Sequence, residues 1–239
     1  MKNLQTKFSL IRPNILAQNE SVKAWFTEKN MEFGLQNSVV PGLNFGFNTI
    51  EKKELVAANR LSLLSHLRLD PEWVAYADQV HSNRVQVVTE GGTFPSTDGL
   101  VTTIPGLTLG IQVADCAAVL LWDIENRVVA ALHAGWRGAA GDIVPKGIDT
   151  MVRQGAHPQT TAAYISPCIS LANFEVGWEV ADQFPQEFVD AEHYEKPHID
   201  LKGFLRYQLE QADIPASQIE VSDHCTIDDA KNFYSYRRE

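Results

Sequence analysis

Three short stretches carry the side chains able to do chemistry: Asp78-Gln79-Val80-His81-Ser82-Asn83, Ala114-Asp115-Cys116 and His133-Ala134-Gly135-Trp136-Arg137-Gly138. Taken alone, a histidine beside a strand, such as His81, is more often structural than catalytic. Asp115 and Cys116 are harder to explain blandly, because they interrupt an almost continuously apolar run from Ile111 to Trp122. A carboxylate in an apolar setting costs several kcal/mol unless partners offset it, so the pair implies a site or a buried network. In the third stretch a strand runs through a glycine-rich turn into a helix. Backbone N–H groups at such a start, with Arg137 beside them, suit a phosphate, while the alternative is a tight turn with Trp136 packed inward.

Cys116 and His133 stand 133 − 116 = 17 positions apart, a separation that fits the ends of two neighbouring strands joined by a hairpin. Together with His81 they offer two imidazoles and one thiolate. That donor set suits zinc in four-coordination with one position open, the arrangement of a catalytic rather than a structural ion. Copper is the alternative ion. The same residues without an ion would make a Cys116 thiolate nucleophile with His133 as its base, an amide hydrolase acting on something like a cell-wall precursor.

The elements that must position these groups are strand-rich in the middle of the chain. Strands are expected at Trp73 to Ala77, Val85 to Val88, Leu100 to Thr103, Leu107 to Val113, Ala117 to Trp122 and Val128 to His133. Helical spacing is found at Glu51 to Leu67, Ala140 to Gln154, Val176 to Phe188 and Ile199 to Ala212, with Pro145 confined to a first turn or a kink. The interleaving is not a clean βαβ alternation. It predicts an α+β fold, an α/β layered sandwich with a mixed β-sheet covered by helices, in a single domain over residues 1–239.

The chain of 239 residues is 44% apolar and 21% charged, a globular composition with core to spare. Twenty Lys and Arg against thirty Asp and Glu leave a net charge of −10, which argues against bulk nucleic-acid binding but permits a small phosphorylated ligand at a local Arg. Met1 to Pro13 lacks the long apolar core of an export signal, and no run reaches the roughly 18 apolar residues of a membrane span. A cytoplasmic protein is expected. Three cysteines, Cys116, Cys168 and Cys225, spread widely along the chain, argue against a disulfide framework.

DQVHS at 78 to 82, TDGLVT at 97 to 102, ADC at 114 to 116 and HAGWRG at 133 to 138 resemble the YfiH family, the laccase-domain family of multicopper polyphenol oxidases and purine nucleoside phosphorylases. GLNFG at 42 to 46, ANR at 58 to 60, FEVGWEV at 174 to 180 and YSYRR at 234 to 238 extend the likeness over most of the chain. The pattern departs at Ser166-Pro167-Cys168-Ile169, where the family commonly has Gly-Pro.

The resemblance implies His81, Cys116 and His133 as the metal-binding catalytic set, with Arg137, Asn44, Arg60 and Gln79 contacting substrate or phosphate. It implies phosphorolysis of adenosine, inosine or methylthioadenosine to base and a ribose 1-phosphate, alongside adenosine deamination. Asp98 or Asp115 would then handle the proton. Polyphenol oxidation ranks low, since several copper ions need many imidazoles and only two of the seven histidines fall at the site. The expected partners are a small nucleoside and phosphate, without nucleic acid or membrane, in a monomer or weak homodimer.

Overall fold

The computed structural model describes residues 8–17, 21–33, 35 and 37–238. The expectation about an export signal therefore lies partly outside the described residues. Two short strands, β1 (Leu10–Ile11) and β2 (Phe26–Thr27), pair antiparallel ahead of helix α1 (Lys53–Leu67). The centre of the chain supplies β3 (Val74–Ala77), β4 (Val85–Val87), β5 (Gly92–Phe94), β6 (Gly99–Thr102), β7 (Thr108–Gly110), β8 (Ala117–Asp123) and β9 (Val128–Ala134). Helices α2 (Trp136–Ala140) and α3 (Ile143–Arg153) follow, then β10 (Thr161–Ile165), α4 (Trp178–Ala181), β11 (Val189–Asp190), β12 (His198–Ile199), α5 (Leu201–Gln211) and β13 (Ile219–Val221).

A six-stranded mixed sheet in the order β13-β10-β8-β9-β6-β4 organises the molecule. Its two outer pairs are parallel and the three inner pairings antiparallel. Side chains alternate across it as the pleat demands. Val101, Val119, Leu121, Ala130, Leu132, Ala163 and Ile165 share a core with Ile143, Ile148 and Met151 of α3 and Leu205 and Leu209 of α5. On the other face Trp122, Ala162 and Tyr164 pack with Leu16, and Leu100 joins the parallel three-stranded sheet β5-β3-β7 through Ala75, Ala77 and Leu107. Each fully buried Leu or Ile of this kind contributes about 1.5–3 kcal/mol.

The expected mixed layered fold is therefore present, with three corrections of detail. Ala140 to Gln154 is broken, because Asp142 adopts a left-handed φ of 66° between α2 and α3, and Pro145 falls in the first turn of α3, where its missing N–H costs nothing. Val176 to Phe188 forms only the single turn α4 before Pro185, which disfavours helical geometry at Phe184. The expected strand from Leu107 to Val113 ends at Gly110. No helix among the described residues is long and apolar enough to cross a membrane.

Candidate metal centre

β8 and β9 form the antiparallel hairpin that the separation of Cys116 and His133 called for, with Ala118 opposite His133 and Ala117 opposite Ala134. Cys116 sits just before β8, so its sulfur reaches the end of the hairpin where His133 stands. Here Asp115 takes a φ of 79°, a left-handed turn that ends the irregular stretch before the strand. The loop after β3 brings in His81, itself at φ 58°.

The ligand atoms of His81, Cys116 and His133 all lie within 4.8 Å of one another, and the two imidazoles meet edge to face at 4.8 Å between ring centres. Among the described residues no other group of three or more His, Cys, Asp or Glu side chains converges in this way. Gly135 is required by the crowding: a Cβ there would stand 2.8 Å from Cys116 Sγ and 3.1 Å from His81 Cδ2.

Asp98, fully buried at the start of β6, organises two of the three ligands. Its Oδ1 pairs with His133 Nδ1 at 2.7 Å and accepts the His81 N–H at 2.9 Å. Its Oδ2 accepts from the N–H and hydroxyl of Ser82 at 2.7 and 2.6 Å and from the Val80 N–H at 3.2 Å. Burial alone would raise this carboxyl, but the bonds from His133 and Ser82 outweigh it and hold the group at about 2. A carboxylate on Nδ1 leaves Nε2 of His133 as the free donor, the usual outer support of a metal-bound imidazole.

His81, the most exposed of the three, is held below its ordinary value by burial, by His133 and by the charge of Arg137, against the pull of Asp98. That keeps it neutral, as a ligand must be. Burial, with Asp115 and Asp98 nearby, pushes the Cys116 thiol up to about 12. A cation among these atoms reverses that balance, since coordination deprotonates a thiol. Two imidazoles and one thiol thus fit a borderline-soft transition metal.

Asp115 does not face this cluster as a spare base. Its carboxylate accepts from Thr226 Oγ1 at 2.7 Å, Ser235 Oγ at 3.0 Å and the Arg237 N–H at 2.9 Å, fastening residues 226–238 to the cysteine turn. Ser166, where the Gly-Pro pattern is broken, is buried and accepts the N–H of Ala118 at 2.9 Å, so it steadies the first residues of β8.

Arg137 is exposed on α2, with its guanidinium 4.4 Å over the Trp136 ring, and Trp136 packs partly against the core. The tight-turn reading, with Trp136 packed inward, thus holds in part. Asn44, Arg60 and Gln79 gather in a second group. Asn59 and Arg60 of α1 reach the carbonyls of Asn44 and Phe45, each at 2.9 Å, and Asn44 closes its own loop through Gly46 and Thr49. The Arg60 guanidinium lies over Phe47 at 4.2 Å and Tyr76 at 4.8 Å, and burial lowers its pKa. Gln79 brackets Gln112 in both directions at 2.7 and 2.8 Å, tying the His81 loop to the approach of Cys116.

Sequence reasoning had Asp98 or Asp115 handling the proton and allowed a buried network at Asp115, which the bonds to residues 226–237 bear out; it missed Asp98 as an organiser. A sign was available for Asp98, a carboxylate directly before the apolar strand Gly99–Thr102.

Residues 23–239 match the family model described as "Multi-copper polyphenol oxidoreductase laccase". A purine nucleoside phosphorylase of Corynebacterium glutamicum is 35% identical over 230 residues, 93% of this chain and 91% of that one. An adenosine deaminase, RL5, from an unknown prokaryotic organism is 31% identical over 92% of this chain and 89% of its own. The crystal structure of the hypothetical protein YfiH from Bacillus licheniformis superposes with a TM-score of 0.85 at 31% identity, covering 90% of this chain and 87% of that one.

Proposed function

The chain belongs to the laccase-like YfiH family, and from that premise we propose that residues 1–239 form one catalytic domain, a zinc-dependent purine nucleoside phosphorylase acting in the cytoplasm. The ion would be held by His81, Cys116 and His133. The observation that carries the site is the convergence of those three donors within 4.8 Å; the reaction is the one named for the Corynebacterium relative.

In this reading phosphate attacks the anomeric carbon of the nucleoside. The C1′–O bond forms as the glycosidic C–N bond breaks, and the electron pair leaves with the purine, which takes up a proton. When bound by His81, Cys116 and His133, the ion would supply Lewis-acid neutralisation of the phosphate charge. Arg137, exposed beside the cluster, adds a second positive charge for the same anion. Asp98 fixes His133 and the His81 loop, so the donors are ordered before substrate arrives. Arg60, Asn44 and Gln79 shape the loops on the approach.

A second activity, adenosine deamination, is favoured by the name of the RL5 relative and would use the same three donors. The ion-free hydrolase reading is weakened by the thiol, which burial pushes up to about 12, since a nucleophilic cysteine needs the opposite shift. A multicopper centre needs more donors than one three-residue cluster supplies.

The test is elemental analysis of the purified protein joined to chromatography of adenosine reactions run with and without phosphate. Near-stoichiometric zinc and phosphate-dependent release of adenine and ribose 1-phosphate are expected, both lost in His81→Ala and Cys116→Ala. Base release that persists in metal-free protein, or its absence from zinc-loaded protein, overturns the proposal.

A further inference from the structure

A groove of about 520 Å3 lies against Trp136, Phe174, Val176, Val180 and Arg237, a volume suited to a small ligand. Two of its walls are tethered at the turn that presents Cys116. Trp136 follows Gly135, which packs on Cys116 Sγ, and the N–H of Arg237 is held by Asp115. Each wall carries a guanidinium over a ring, Arg137 over Trp136 at 4.4 Å and Arg237 over Phe174 at 5.1 Å. Beside them Trp178 and Tyr236, next in sequence to Gly177 and Arg237, are left 60% and 87% exposed.

Flat heterocycles stack on such aromatic and guanidinium planes. Free phosphate fits poorly, because the carboxylates of Glu175 and Glu179 also line the groove, and Glu175 already neutralises Lys196 at 2.7 Å. Carboxylates repel an anion but accept N–H groups from an aminopurine. We propose that this groove seats the purine base of the nucleoside while phosphate is held at the His81–Cys116–His133 cluster and Arg137, an inference that rests on the phosphorylase reading for its choice of nucleoside.

The experiment is calorimetric titration of zinc-loaded protein with free adenine, paired with steady-state kinetics on adenosine and phosphate. Two variants are compared: Arg237→Gln, which keeps the backbone bond to Asp115 and removes the exposed guanidinium plane, and Phe174→Leu, which keeps apolar volume but removes the buried ring on which that plane rests. Loss of stacking should raise the adenine Kd and the KM for adenosine about tenfold in each, with the KM for phosphate and the zinc content unchanged. If wild-type protein binds no adenine, or both variants bind it as well as wild type, the groove is not the base site, even where base release is intact. If adenine binds with the expected sensitivity and no base is released, the reaction falls and the groove stands. Should either variant misfold, the other decides.

Discussion

Asp98 is the residue on which the donor geometry turns, because one buried carboxylate holds the ring of His133 and the backbone of His81 at once. Asp98→Asn keeps the size but turns one oxygen into a donor, so it loses the acceptor for His133 or for Ser82. Outer-shell changes of this kind typically cost about 10–100-fold in metal affinity. Competition with a chromophoric chelator should show that loss for Asp98→Asn while the far-ultraviolet circular dichroism is retained; unchanged zinc affinity would remove Asp98 from this role. Of the three converging side chains, Cys116 and His133 stood out because they fall at the ends of apolar runs, whereas His81 stands in a loop and drew notice only beside the other two. Asp98 and Asp115 were legible only as misplaced charges, since their partners lie 16 to 35 and 111 to 122 positions away and no local pattern announces such bonds.

At the scale of elements, the β8–β9 hairpin could be read from two apolar runs and the separation of Cys116 from His133, and the structure places its register where the cysteine and histidine meet. The stretch from Val176 to Phe188 shows the limit of such reading. Val176, Val180, Ala181 and Phe184 are all buried, so the spacing correctly reported burial, but Gly177 and Pro185 leave only the α-helical turn Trp178–Ala181 and a short 3-10 turn at Gln186–Phe188. The short edge strand β13 and its inner neighbour β10 went unread because TAAYI and IEV are brief, mostly apolar runs. The C-terminal segment forms neither helix nor strand, and it is anchored through Asp115. Asp115→Ala removes the acceptor for three donors, two of them on the buried side chains Thr226 and Ser235. Each orphaned donor costs about 1–3 kcal/mol. Urea denaturation should therefore show a lowered midpoint, with zinc binding weakened as the cysteine turn loosens; wild-type stability in Asp115→Ala would refute the anchoring.

For the whole molecule, acid stability follows from buried acceptors. Asp123, on β8, accepts from Asn126, His157 and Thr160, and these bonds hold its carboxyl below the ordinary value although burial opposes them. Asp98 is held at about 2. A carboxylate with a depressed folded pKa lends stability that is complete above its unfolded value, about 3.9, and is lost as pH falls through the folded value. Thermal unfolding should thus show a midpoint insensitive to these two groups above about pH 5 and declining below about pH 4. In Asp123→Asn that acid decline should be shallower and the neutral midpoint lower; an unaltered acid limb would assign the loss to other carboxylates.

Asp115 also sets an order of events during synthesis. His81, Cys116 and His133 leave the ribosome well before Thr226, Ser235 and Arg237, yet the turn that presents Cys116 is closed by those later residues. A nascent chain halted short of residue 226 has all three donors but lacks the residues that close the cysteine turn, so on the proposed reading an ion would be held firmly only after Arg237 has been made.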